Sequence, residues 1–221
     1  MITECYRKDY SGEFVVVGAT WSGGKKNIQR EWVDNPIKNH HISGRAVCIG
    51  TRADKDQFDY CRLQKHRGGL LGSKKLQTYG AGEIALEMRL DFTVEKNPAI
   101  LDQLIETEYH KHNTIYTSPK YCFEHPGDFY NIPHNPVMLD VCLLPYLAAF
   151  DGHREIFLLG YHNDAGIGQS SWESQMHQIM NVYSGTKFYY VGHESQMPKV
   201  WKDSANVALM TYRQFIVYAD V

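Results

Sequence analysis

Two short runs constrain this chain more than any other feature. Arg45–Gly50 (RAVCIG) and Arg154–Gly160 (REIFLLG) each hold four consecutive apolar residues and stop at a glycine. A strand with one wet face alternates apolar and polar residues; a short run that is apolar throughout is buried on both faces, as in the middle of a parallel sheet. Parallel neighbours need crossover connections, so helices should fall between such runs. They do. Asn97 caps a helix with Pro98 at its first position, where the missing N–H costs nothing, and Ile100, Leu101, Leu104, Ile105 and Tyr109 follow at helical spacing. Asn135-Pro136 repeats that opening before an almost wholly apolar stretch, MLDVCLLPYLAAF, which reads as a buried helix containing Pro145. Ser170-x-x-Glu173 and Thr211-x-x-Gln214 spell two capping boxes, the first leading into an apolar face of Trp172, Met176, Ile179, Met180 and Tyr183.

Further strands are expected at Glu13–Gly18 (EFVVVG), Met88–Val94, Asn113–Thr117, Lys187–Val191 and Val207–Met210. Strand–helix–strand alternation at this length predicts an α/β fold: a doubly wound, mainly parallel, Rossmann-like sheet with helices on both faces. Residues 1–221 read as one such domain, with Thr51–Gly82, which contains GGLLGSKK, as an irregular excursion over the sheet.

Composition narrows the setting. Hydrophobic residues at 43% and charged residues at 22% are ordinary for a globular chain and exclude general disorder. No apolar stretch is long enough to cross a bilayer, and the opening MITECYRKDYSGE has no apolar core of a secretory signal. The five scattered cysteines (5, 48, 61, 122 and 142) include no C-x-x-C pair, so the expectation is reduced thiols in a cytoplasmic setting. The net charge of -2 hides an asymmetry: residues 1–80 carry 14 Lys/Arg against 8 Asp/Glu. A basic half on an acidic chain can face a polyanion, a nucleotide diphosphate or a nucleic acid.

In an open parallel sheet, ligands bind beyond the carboxyl ends of the strands, where the strand order reverses. The segments that follow strands are therefore the candidates: Gly18–Lys26, Thr51–Asp56, Gly160–Asp164 and Gly192–Ser195. Gly18-Ala19-Thr20-Trp21-Ser22-Gly23-Gly24-Lys25-Lys26 reads as a glycine-rich βα turn suited to phosphate, although it matches neither the Walker A nor the G-x-G-x-x-G spacing. Asp54-Lys55-Asp56 spells the D-x-D that holds Mn²⁺ or Mg²⁺ on a diphosphate in metal-using transferases, but so short a string in a polar loop carries little weight. The histidine pairs His40-His41 and His110/His112 lack cysteine or carboxylate partners at ligand spacing, so no metal and no cofactor is expected. His193 stands apart. It follows Tyr189-Tyr190-Val191-Gly192 directly, at a sheet edge, where an imidazole can take a proton from a hydroxyl.

Two segments carry a resemblance. Arg154-Glu-Ile-Phe-Leu-Leu-Gly-Tyr-His-Asn resembles the "KEIYLxGxD" segment of bacterial lipooligosaccharide sialyltransferases, and Tyr190-Val-Gly-His-Glu-Ser resembles their "YIGHS" motif. Glu13–Gly18 and Arg45–Gly50 stand collinearly where that family has its first two conserved strands. The family's "GNGPS" is Gly18-Ala-Thr-Trp-Ser here, its asparagine after the second strand falls near Gly50 or Thr51, and its Ser-Gly lies around His134-Asn135-Pro136. The basic N-terminal part and the closing Thr211–Val221 (TYRQFIVYADV) also look like small glycosyltransferases of T-even-type phages, which modify hydroxymethylated cytosines in DNA.

The resemblance implies transfer of a sugar from a nucleotide-sugar donor to an acceptor hydroxyl, either on a (glycosylated) hydroxymethylcytosine of double-stranded phage DNA or on a glycan. A non-catalytic nucleotide- or nucleic-acid-binding protein is the rival outside enzymes. His193 would be the general base. Gly18, Ala19, Thr20, Thr51, Arg52 and Asn135 would hold the donor, with Tyr161, Asp164 and Trp172 shaping the sugar pocket. Lys25, Lys26, Lys65, Arg67 and Lys74 would meet DNA phosphates.

Overall fold

The computed structural model describes residues 2–35, 43–66, 75–134, 136–162 and 171–221. Asn135, Asp164, Arg67 and Lys74 lie outside the described residues, as does Ser170. The chain builds two sheets. The first is a two-stranded antiparallel hairpin, β1 (Gly12–Ser22) and β2 (Lys25–Asp34). The second is an eight-stranded, all-parallel sheet: β3 (Arg45–Ile49), β4 (Gln77–Ala81), β5 (Phe92–Val94), β6 (Thr114–Thr117), β7 (Tyr130–Asn131), β8 (Glu155–Leu159), β9 (Lys187–Val191) and β10 (Val207–Met210). Its spatial order is β10-β9-β8-β3-β4-β5-β6-β7. The chain starts in the middle at β3, runs outward to β7, returns to the other flank of β3 as β8, and runs outward again. This is the doubly wound arrangement, and the order reverses between β3 and β8.

Helices cover both faces, as the apolar runs demand. Along β3 and β8 the side chains alternate between two cores: Ala46, Cys48, Ile156 and Leu158 on one face, Val47, Ile49, Phe157 and Leu159 on the other. The first face receives α4 (Asp140–Phe150), α5 (Ser171–Val182) and α6 (Lys199–Lys202), together with Ile2, Cys5, Tyr6 and Tyr10 of the N-terminal segment. The second receives α1 (Gly82–Glu87), α2 (Pro98–Glu106) and α7 (Tyr212–Ala219). The remaining helix, α3 (Pro119–Glu124), follows β6 and packs on β1. Among the described residues no helix is long and apolar enough to cross a membrane.

Local chemistry explains several boundaries. Asn97 Oδ1 accepts from the Ala99 N–H at the start of α2, and the Thr211/Gln214 capping box opens α7. The helix expected from Asn135-Pro136 begins at Asp140 instead. Its approach is held by Gln175, whose Oε1 accepts from the Leu139 N–H at 2.8 Å.

The largest correction concerns Glu13–Gly18. It is not a buried strand of the parallel sheet, and Gly18, Ala19 and Thr20 form no βα turn; they lie within β1 of the projecting hairpin. The reversal falls at Gly23-Gly24, whose φ values of 58° and 75° suit the two-residue turn that matches strand twist. Val15 is 6% exposed, but Val16 on the opposite face is 57% exposed. The first strand of the parallel sheet is β3.

Candidate functional site

The reversal of strand order places the carboxyl ends of β3 and β8 side by side. The Gly50 N–H donates to the Leu159 carbonyl at 2.8 Å, and Ala53 turns back with its N–H on the Gly50 carbonyl at 3.0 Å. Two glycines make this approach sterically feasible. Gly160 has φ +73°, and a Cβ there would sit 2.3 Å from the Ala53 nitrogen; a Cβ on Gly50 would lie 2.9 Å from the Gly160 oxygen. Backbone, not a flexible side chain, blocks both positions. Gly160→Ala is therefore expected to lower stability by about 1–3 kcal/mol from backbone strain alone, more where the clash adds. Urea unfolding of the variant checks it; a midpoint equal to that of the wild type would show that the β3 and β8 loops are not held this close.

Above these glycines lies a cavity of about 150 Å³ lined by Thr51, Arg52, Val141, Gly160, Tyr161, His162 and Trp172. Thr51, Arg52, Tyr161 and Trp172, singled out in the sequence from three separate segments, thus meet in one place. Arg52 Nη1 donates to the His162 carbonyl at 3.1 Å, tying the loop after β3 to the loop after β8. Tyr161 forms the floor. It is 1% exposed, its hydroxyl donates to the Val141 carbonyl at 2.9 Å, and burial pushes its phenol well above the usual range, so it stays neutral. Trp172 stands at the start of α5, edge-on to Trp201 with ring centroids 5.3 Å apart. Trp201 Nε1 in turn donates to the Glu173 carbonyl at 3.1 Å. The Glu173 carboxyl beside it is buried, its Oε1 has no hydrogen-bond partner among the described residues, and burial raises its pKa. The sequence assigned Glu173 only to a capping box; an unpartnered buried carboxyl next to the cavity wall carries no sequence signal.

His193 caps the short turn Glu194–Gln196 that follows β9. β9 is the next strand along from β8, with Leu159 opposite Val191, so His193 follows the carboxyl end of the strand that adjoins the cavity. It is exposed, and among the described residues it does not line the cavity. Its Nδ1 sits 2.7 Å from Ser195 Oγ and 3.3 Å from the Ser195 nitrogen. With Nδ1–H donating to Ser195 Oγ, Nε2 is free to accept a proton; with Nδ1 accepting from the Ser195 N–H, the neutral ring carries its proton on Nε2. The base-competent and the capping tautomer thus differ in which group of Ser195 meets Nδ1.

Among the described residues, the proposed phosphate-contacting lysines 25, 26 and 65 do not form one patch. Lys25 and Lys26 lie at the hairpin tip. Lys65 lies with Arg62, His66 and Lys75 around the end of α7, which runs from the carboxyl edge of the sheet back to its amino edge. There Lys75 pairs with Asp220 at 2.6 Å, and His66 Nε2 lies 3.0 Å from the Asp220 carbonyl. Lys65 therefore sits at the opposite edge from the cavity. The D-x-D aspartates make a local turn, with Asp54 Oδ1 accepting from the Asp56 N–H at 2.9 Å. Among the described residues no group of three or more His, Cys, Asp or Glu side chains gathers at metal-binding distance. A roomier hollow of about 320 Å³ lies at the amino edge of β5 and β6, between Gln64, Arg89, Glu108 and His112. Doubly wound sheets bind their ligands at the other edge, so the smaller cavity is the functional candidate.

No protein-family model, curated protein or solved structure matches this chain.

Proposed function

We propose that the chain is a glycosyltransferase that moves a sugar from a nucleotide-sugar donor to an acceptor hydroxyl. The observation that carries this reading is the convergence of Thr51, Arg52, Tyr161 and Trp172 on one cavity at the switch point, with His193 on the adjoining strand end. At about 150 Å³ the cavity is smaller than the ~300–1,000 Å³ that encloses a whole ligand, so it would hold one part of the donor while the rest lies along the carboxyl edge. Arg52 is a cation in the cavity lining that could meet a diphosphate, the Thr51 hydroxyl adds a hydrogen bond, and Trp172 offers an apolar wall to a sugar or base ring.

In the transfer step the acceptor oxygen bonds to the anomeric carbon as the bond from that carbon to the donor phosphate breaks. The acceptor proton passes to His193 Nε2, and the charge left on the nucleotide is met by Arg52 and backbone N–H groups. The preferred acceptor is a hydroxyl on a (glycosylated) hydroxymethylcytosine in double-stranded DNA, whose substituent points into the open major groove. A glycan acceptor for a sialyltransferase-like enzyme is the second reading within enzymes. A binding protein without catalysis is favoured by one observation, the exposed position of His193 outside the cavity lining.

The test incubates the protein with a panel of radiolabelled nucleotide sugars and either hydroxymethylcytosine DNA or an oligosaccharide. Label on DNA supports the proposal, label on the oligosaccharide moves the acceptor to glycans, and binding without transfer leaves only the non-catalytic reading.

A further inference from the structure

The β1–β2 hairpin is sided in a way that the fold does not require. Residues paired across an antiparallel ladder share a face, and the ladder pairs Phe14 with Trp32, Val16 with Arg30, Ala19 with Ile28, and Trp21 with Lys26. The bulge between Val16 and Gly18 absorbs one residue and keeps these pairs in phase. Phe14 (66% exposed), Val16 (57%), Trp21 (72%), Ile28 (47%) and Trp32 (45%) consequently all point the same way, into solvent. The opposite face carries buried Val15 and half-buried Val33, with polar residues such as Glu13, Thr20, Gln29 and Glu31. A solvent-facing ribbon normally shows the reverse distribution.

Charge on the apolar face selects the occupant. Lys26 and Arg30 stand among the aromatic rings, and neither has an ion-pair partner among the described residues. Asp34, at the base, is the one carboxylate on this face and accepts from Trp32 Nε1 at 2.5 Å. A second copy of the same face would oppose cations to cations and bury them without partners. A ribbon about 35 Å long and two strands wide also offers roughly 350 Å² per copy, well below the ~800 Å² per partner of a stable interface. Aromatic faces interleaved with unpaired cations instead match a single-stranded nucleic acid, whose bases stack on rings while its phosphates meet Lys and Arg. We infer that this hairpin face is a docking platform for a single-stranded nucleic-acid tract, with bases stacking on Trp21, Trp32 and Phe14 and phosphates held by Lys26 and Arg30.

Its position fits such a role. β1 packs on α3, which leaves the carboxyl end of β6, and Asn131 Nδ2 donates to Glu13 Oε1 at 2.8 Å. The ribbon is thus rooted at the same edge of the sheet as the switch-point cavity, four strands away, or about 19 Å. This goes beyond the proposed function: the platform takes a single-stranded tract, a site separate from that of the duplex acceptor, and its binding does not depend on sugar transfer.

The experiment measures binding of a fluorescein-labelled oligothymidylate of about 16 nucleotides to the full chain by anisotropy, with no sugar donor present. The wild type is expected to bind with a marked salt dependence and with quenching of tryptophan emission from the two exposed indoles. Replacing Trp21 and Trp32 together by Ala should weaken binding at least ~30-fold, with the far-UV circular dichroism unchanged. Replacing Lys26 and Arg30 by Ala should lower the slope of log affinity against log salt by about 1.4. No binding at low salt, wild-type affinity in the double tryptophan variant, an unchanged slope in the double cation variant, or a dimer that these substitutions dissociate would each overturn the platform. A chain that binds the oligonucleotide but transfers no sugar would instead contradict only the proposed function.

Discussion

His193→Ala is expected to cut sugar transfer by about 10²–10⁴-fold, the usual worth of a positioned general base, while donor affinity and thermal midpoint stay near the wild type. The side chain is exposed and, among the described residues, it only caps a three-residue turn, so its removal should not disturb the fold. The capping duty makes a sharper control available. Asparagine is among the best capping residues and would accept the Ser195 N–H as the imbalanced imidazole does, but it cannot take a proton near neutral pH. If His193 acts as a base, His193→Asn loses as much turnover as His193→Ala. If it only caps the turn, His193→Asn restores it. Ser195→Ala adds a third reading: loss of the Oγ acceptor removes the partner that frees Nε2, so turnover should fall less steeply than on loss of the imidazole.

The largest stability effect is expected at Arg7. Its guanidinium pairs with Asp151, both groups are almost fully buried, and it lies 5.5 Å from the Phe150 ring centroid and 5.6 Å from that of Tyr116. Asp151 also accepts from the Tyr79 hydroxyl at 2.6 Å, and Tyr79 lies 2.9 Å from His153 Nε2. This network fastens the N-terminal segment, with Ile2, Cys5, Tyr6 and Tyr10, over the sheet face that α4 covers. Arg7→Ala leaves the Asp151 carboxylate buried without its cation, which costs roughly 3–5 kcal/mol, or on the order of 10 °C in Tm for a chain of this size. Arg7→Met combined with Asp151→Asn removes both charges and should lose much less. Calorimetry on the two variants decides the matter; Arg7→Ala as stable as the wild type would mean that the N-terminal segment is not anchored here.

What could be read in the sequence follows from what each element asks of its residues. β3 and β8 were legible because burial on both faces forces uninterrupted apolar runs, and α2 and α7 because their caps are local. β4 was not. Its sequence QTYGA has no apolar run, since Thr78 is satisfied by Asp91, which accepts from both its N–H and its hydroxyl, and Gly80 leaves room for Leu90. The hairpin differs from its expectation for the opposite reason. EFVVVG looks like a core strand, and only the Gly23-Gly24 pair followed by the alternating Asn27–Val33 stretch marks a ribbon instead. The cavity residues were found because the carboxyl-edge rule names positions, not residue types, and it survives an error in which strand comes first. The basic residues do not sum to one surface because Lys25 and Lys26 are carried on the hairpin tip while Lys65 lies by the end of α7, where Lys75 is paired with Asp220.

The central claim is that the switch-point cavity holds a nucleotide sugar through Arg52. Isothermal titration of a panel of nucleotide sugars into the wild type and into Arg52→Ala tests it most directly, with Arg45→Ala, at the amino edge of the sheet, as the control. The account predicts that one donor class binds the wild type and Arg45→Ala alike. It also predicts that Arg52→Ala binds that donor about 10- to 100-fold more weakly, the worth of a charged hydrogen bond to phosphate. No binding by any nucleotide sugar, or equal affinity in wild type and Arg52→Ala, would contradict it.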